Sequence, residues 1–153
     1  MDEVQYDMYT TLATLYDTQD LTMPSSNAQR IGAIAETRFI AECLERDFEP
    51  HTPTTPMPWD FIVTCPAGML KVQIKSSNTR DKGCFTCVTS VGSKSKDYMS
   101  DDLDVVGIFI PAIDMWWMIP RGLIESKTIK LSPEQASRSK YKKYQENWSI
   151  FYE

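Results

Sequence analysis

The spacing of apolar residues divides the chain into helical and extended stretches. Val4, Met8, Leu12 and Leu15 recur at near-helical intervals and predict an amphipathic helix over residues 4–16, weakened by its threonines. Pro24 with Ser25 and Ser26 marks a short linker, after which Ser26 or Asn27 can cap a second helix running to about Asp47. Its buried stripe would be Ile31, Ile34, Ala35, Phe39 and Leu44. Pro50, Pro53, Pro56 and Pro58 exclude a continuing helix or a central strand. Residues 59–64 and 69–76 predict a hairpin about the turn Cys65-Pro66-Ala67-Gly68. Residues 84–91, rich in β-formers, predict a third strand. Residues 104–111 are almost wholly apolar and predict a central fourth strand. A fifth follows at 116–119, where Trp116 and Trp117 should face opposite ways, one in the core and one at an interface. Ser132-Pro133-Glu134 predicts the opening of a final helical region. Together these elements predict a single α/β domain over residues 27–153, preceded by an acidic extension over residues 1–26.

Charge sharpens this picture. The formal net charge is −5, yet residues 1–29 hold five acids (Asp2, Glu3, Asp7, Asp17 and Asp20) and no Lys or Arg. Removing those five from the 21 acids leaves 16 against 16 bases, so residues 30–153 are neutral overall. Within them, Lys71, Lys75, Arg80, Lys82, Lys94 and Lys96 oppose Asp81 alone over residues 71–96. Residues 126–143 are similarly basic, including Lys142 and Lys143. Two such segments can form a phosphate-binding face or can be solvated surface lysine. No stretch approaches the roughly 18 apolar residues that span a bilayer. The acidic start lacks the basic region of a signal peptide, so the expected compartment is the cytoplasm, or a host cell's cytoplasm for a phage-encoded chain. In that setting Cys43, Cys65, Cys84 and Cys87 are expected to be free thiols.

The candidate chemistry lies in the hairpin. Metal-dependent cleavage of a phosphodiester needs oxygen ligands, an activated water and a cation near the scissile phosphate. Gln73 and Lys75 are two residues apart on the second hairpin strand and therefore share a face. Asp60, at the start of the first, can approach Gln73 across the pair. The structural alternatives are a turn aspartate, a hydrogen-bonded core glutamine and an exposed strand lysine. Cys84 and Cys87 have metal-motif spacing, but a strand puts them on opposite faces. His51, the only histidine, sits in the proline-rich stretch and reads as loop packing.

The series Gly32-x-x-x-Glu36, Pro58-Trp59-Asp60 and Gln73-Ile74-Lys75 resembles the PD-(D/E)xK nuclease superfamily. In particular it is similar to group I intron-associated homing endonucleases, which place Q-x-K where the wider superfamily has (D/E)-x-K. Residues 70–77, 103–111, 114–120 and the run from Tyr141 to Trp148 resemble further segments of that family in the same order, so the likeness covers about residues 30–153. It implies a restriction-endonuclease-like core of αβββαβ type, a mixed sheet flanked by helices. It also implies an Mg2+-dependent endodeoxyribonuclease, with Mn2+ able to replace Mg2+, acting on double-stranded or branched DNA. Glu36, Asp60, Gln73 and Lys75 would be catalytic. Asp60, Gln73, Glu36 and the main-chain carbonyl of Ile74 would hold the metal. Ser76, Ser77, Arg80, Lys82, Lys94, Lys96, Lys142 and Lys143 would contact DNA. A homo-oligomer, dimer or tetramer, is expected because long sites need more surface than one small chain offers. A Holliday-junction resolvase of the same fold and an inactive DNA-binding module are the alternative readings.

Overall fold

The computed structural model describes residues 25–90, 102–134 and 138–153. The expected helix over residues 4–16 lies outside them. Helix α1 (Ser25–Glu45) opens slightly earlier than the capping residues predict. It ends as its sequence cannot easily foretell. Asp47 takes a left-handed φ of 59°. There, Phe48 N–H bonds the Cys43 carbonyl (2.9 Å) and Asp47 N–H bonds the Leu44 carbonyl (3.1 Å). This paired closure usually calls for glycine, and the packing of Phe48 beside Cys43 in the core helps hold it.

Among the described residues eight strands follow: β1 (Glu49–His51), β2 (Phe61–Cys65), β3 (Gly68–Ser76), β4 (Arg80–Asp81), β5 (Cys84–Val88), β6 (Val105–Ile110), β7 (Met115–Pro120) and β8 (Thr128–Leu131). They form a five-stranded sheet in the order β1-β2-β3-β6-β7 and a three-stranded sheet in the order β4-β5-β8. The hairpin β2–β3 pairs Cys65 with Gly68 across Pro66-Ala67, with Gly68 at φ 114°. β3 and β6 run parallel, and every other pair is antiparallel. The sheet is therefore mixed, as expected. β6 is buried at all six positions, as its unbroken apolar run predicts. Gly107 in its centre allows close packing, since a Cβ there would lie 2.9 Å from Ile74 Cδ1.

The large sheet has a core on each face. On one, Ala35, Phe39 and Cys43 of α1 meet Phe61, Val63, Val72, Ile74, Phe109 and Trp116. The C-terminal segment joins them through Trp148 and Phe151. On the other, Phe85, Cys87, Ile129 and Leu131 of the small sheet cover Val106, Ile108, Ile110, Trp117 and Ile119. Trp116 and Trp117 face opposite ways as expected, but both are core (2% and 0% exposed). The interface expected for one of them is corrected, because the small sheet covers the second face. That sheet needs β8, which the sequence reading left unassigned. The C-terminal helical region is also corrected: residues 132–134 are irregular, and the segment 138–153 folds as single 3-10 turns at Lys142–Tyr144 and Ser149–Phe151. Its backbone has another partner, the edge strand β7, through a bridge between Trp117 and Gln145 and a 2.8 Å bond from Glu146 N–H to the Trp116 carbonyl. A helix between β5 and β6, which the αβββαβ order asks for, would fall on residues 91–101, outside the described residues.

Candidate active site

The ladder between β2 and β3 stops at the pair Phe61–Val72. Beyond it, β3 keeps β6 on one side, with Gln73 opposite Val106 and Lys75 opposite Ile108, and its other edge is open. The chain covers this edge with a side chain. Asp60 N–H bonds the Val72 carbonyl at 2.9 Å, and Asp60 Oδ2 accepts the Ile74 N–H at 2.7 Å. A carboxylate thus stands where the next strand carbonyl would be. The N–H and C=O of one strand residue point to the same side, so the Ile74 carbonyl faces the same edge.

Gln73 is 7% exposed, and its Oε1 is buried with no hydrogen-bond partner among the described residues. It lies on the face of β3 away from α1, together with Lys75. Asp60, in the bend just before β2, reaches the open edge of the same strand, where its carboxylate meets the Ile74 N–H one residue from Gln73. Glu36 projects from the middle of α1. It is exposed, while the preceding Ala35 is fully buried.

The charges explain one another. Burial pushes the Asp60 carboxyl above its ordinary range, against the opposing pull of the Ile74 N–H and the Lys75 ammonium. Partial burial also raises Glu36, and the Asp60 charge raises it further. Glu36 therefore senses the Asp60 charge across the gap between helix and hairpin. Lys75 also acts on Cys87, whose thiol burial pushes up to about 11. Among the described residues no three His, Cys, Asp or Glu side chains cluster as a metal centre. The third oxygen donor of this constellation is an amide, and the unpartnered Gln73 Oε1 fits a cation with oxygen preference.

A model of the PD-(D/E)XK endonuclease family matches residues 26–151, a span that takes in α1, both sheets and this site. The chain belongs to that family. None of the curated proteins matches its sequence. Among solved structures, a bacterial homing endonuclease, I-Ssp6803I, shares the fold with a TM-score of 0.67 and 19% identity, over 80% of this chain and 88% of that one. PD-(D/E)XK nucleases generally use divalent metals, and the family assignment supports a DNA endonuclease.

Around this PD-(D/E)XK core the remaining predicted residues separate. Beside Lys75 opens a cleft of about 580 Å3 between the start of α1, the loop after β3 and the outer side of β5. Ser76, Ser77 and Arg80 line it, as the DNA-contact reading expects. The Ser77 hydroxyl is engaged within the loop, donating to the Thr86 carbonyl (2.5 Å) and accepting from Thr79 N–H (3.1 Å). Arg80 is exposed, with its guanidinium 5.8 Å from the Phe85 ring centre. Lys82 is exposed in the β4–β5 turn, at φ 48°. Lys94 and Lys96 lie outside the described residues. Lys143 is exposed, whereas the half-buried Lys142 donates to the Pro133 carbonyl (2.7 Å) and to Gln145 Oε1 (2.6 Å). His51 is away from this constellation, on β1 against the Thr64 hydroxyl at 3.2 Å. All four cysteines are free, as expected.

Sequence reasoning missed five residues of the cleft: Ala28, Asn78, Thr79, Thr86 and Val88. Asn78 accepts the Ala112 N–H at 3.1 Å, and its buried Nδ2 has no partner among the described residues. The signal for Thr86 and Val88 was present in the period-2 alternation of β5. It says that they share a face, not that this face borders a cleft. Among the described residues no helix is long and apolar enough to cross a membrane.

Proposed function

We propose that this chain is a divalent-metal-dependent endodeoxyribonuclease, using Mg2+ with Mn2+ as a substitute, which cuts DNA at a defined site in the manner of a homing endonuclease. The observation that carries the reading is the buried, unpartnered Gln73 Oε1, co-facial with Lys75 and adjoining Asp60. Leaving such an oxygen unsatisfied costs roughly 1–3 kcal/mol, a burden that a bound cation removes. Asp60, Gln73, the Ile74 carbonyl and Glu36 are the proposed ligands. When bound, the ion supplies Lewis acidity toward the phosphate and makes water a better nucleophile. The Lys75 ammonium orients the attacking water and offsets charge that grows on the phosphate oxygens. The Ile74 N–H holds the Asp60 carboxylate in one orientation. Ser76 and Arg80 follow the site along the cleft and suit the neighbouring phosphates. The reading includes a homo-oligomer, since one chain of this size covers little of a long site.

Supercoiled plasmid, linear duplex and a synthetic four-way junction, each incubated with Mg2+, Mn2+ or EDTA, test the proposal beside Lys75→Ala. The expected result is metal-dependent cutting of duplex that falls by about a hundredfold or more in the variant. Preferred cutting of the junction turns the reading to a junction resolvase. Binding without cutting, on DNA from the gene's own neighbourhood as well, leaves a DNA-binding module.

A further inference from the structure

The exposed face of β5 and β8 has no part in the chemistry, yet its composition is unusual. In this antiparallel pair, Phe85, Cys87, Ile129 and Leu131 turn inward to the core. The outward residues are Thr86 opposite Lys130 and Val88 opposite Thr128. Val88 is 60% exposed, a branched apolar side chain standing out of a sheet. The main chain of Thr86 is tied down at both its N–H and its carbonyl, and its hydroxyl forms no hydrogen bond among the described residues. These two side chains form one wall of the 580 Å3 cleft, facing Ile31 of α1, and Ser76, Asn78 and Arg80 line the rest of it. The cleft therefore runs from the Ser76–Arg80 segment, which follows Lys75 in the chain, to the outer side of β5, at the end of the β5–β8 pair that extends beyond β4.

The charge around this face suits a polyanion. Residues 76–90 and 126–131 carry Arg80, Lys82, Lys127 and Lys130 against Asp81, and Glu134 stands beside Gly83 in the β4–β5 turn, which leaves +2. Asp81 is already paired with Lys130 at 3.2 Å. A surface that only held phosphates would need neither the Val88 methyls nor the Thr86 hydroxyl beside it. The major groove of B-DNA admits a two-stranded β-ribbon. Its base edges offer hydrogen-bond donors and acceptors for a hydroxyl and the thymine methyl for an apolar side chain.

We infer that the outward face of β5 and β8 is the base-reading surface, with Thr86 and Val88 as specificity-determining residues that contact base edges in the major groove. Arg80 and the Ser76–Asn78 loop hold the adjoining backbone. This rests on the DNA-nuclease reading, deepens it, and can fail separately. A strand laid along the cleft would pass from the base-reading ribbon to the Lys75 site, so one surface would set where the other cuts.

The experiment selects bound duplexes from a randomised library in Ca2+, then sequences the survivors for the wild type, Thr86→Ala, Val88→Ala and Val88→Thr. Binding is read independently of cutting, and Val88→Thr keeps the β-branched shape of the strand. The wild type is expected to return a motif. Each variant is expected to flatten preference by about tenfold at one or two adjacent base pairs, leaving the rest of the motif in place. A motif unchanged in all three variants overturns the inference while leaving the nuclease reading intact. Enrichment of no sequence overturns it too. A motif altered as expected, from a protein that cuts nothing with Mg2+ or Mn2+, supports the reading surface and sinks the nuclease.

Discussion

At the scale of the residue, the site turns on one amide. In the proposed site, a carboxylate at position 73 would add a third acid to a set in which Asp60 and Glu36 are already raised by burial. Gln73 keeps an oxygen donor there without the third charge. The cost is weaker attraction for a cation, because affinity for hard ions follows the charge of their ligands. Gln73→Glu is therefore expected to tighten Mn2+ binding by about tenfold or more and to lower the stability of the metal-free protein. Calorimetric titration and urea unfolding measure the two effects, and an unchanged affinity would remove position 73 from the ligand set. Lysines need the same scrutiny. Lys142 and Lys143 are neighbours in sequence, but one ammonium is held by internal acceptors and the other is exposed.

At the scale of the element, α1 and the C-terminal segment depend on the same side chains. Phe39 is fully buried, with ring centres 5.2 Å from Phe61, 5.9 Å from Trp116 and 6.0 Å from Trp148. It joins the helix to the sheet and to the segment that closes over it. Phe39→Ala is expected to cost about 3–5 kcal/mol, read from the urea midpoint. Because Glu36 is carried one turn before Phe39, the same change should loosen metal binding. Lost stability with unchanged metal affinity would place Glu36 outside the ligand set. The apolar patterns that mark α1, β2, β3, β5, β6 and β7, helical spacing, alternation or an unbroken run, stand out, and these elements were legible in the sequence. β8 and the C-terminal turns were not. Residues 128–131 are too short to stand out by alternation, and they become a strand because β5 offers an edge. The Ser-Pro-Glu start signal at residues 132–134 is local, and the pairing of residues 145–146 with β7 outweighs it.

At the scale of the whole molecule, a net charge of −5 need not prevent DNA binding, because charge is unevenly spread. Affinity for duplex is expected to fall steeply with salt, each neutralised phosphate adding about 0.9 to the slope on logarithmic axes. Lys143→Ala should remove about one such contact. Lys142→Ala should leave the slope alone and lower thermal stability, because it empties the internal bonds to Pro133 and Gln145. Binding titrations at several salt concentrations, with unfolding curves for both variants, separate the roles. A slope reduced by Lys142→Ala alone would reverse the assignment.

The sequence by itself determined the covalent order of the site and the periodicities that share it out. Gln73 and Lys75 fall on one face because a strand alternates, and Asp60 lies near them because a two-residue turn folds β2 back on β3. The family was legible too, because several motifs occur in one order along the chain. Tertiary structure decided what periodicity does not encode, namely which face meets what. It closed the Asp60 carboxylate onto the Ile74 N–H, buried the Gln73 oxygen without a partner and brought α1 close enough for Glu36 to sense Asp60. It also set the outer side of β5 across from the start of α1 and the loop after β3, turning ordinary surface residues into the wall of a cleft. Strand period and turn chemistry are local and can be read along the chain. Burial, pairing of distant edges and the electrostatic neighbourhood are sums over residues far apart in sequence, and they exist only once the chain has folded.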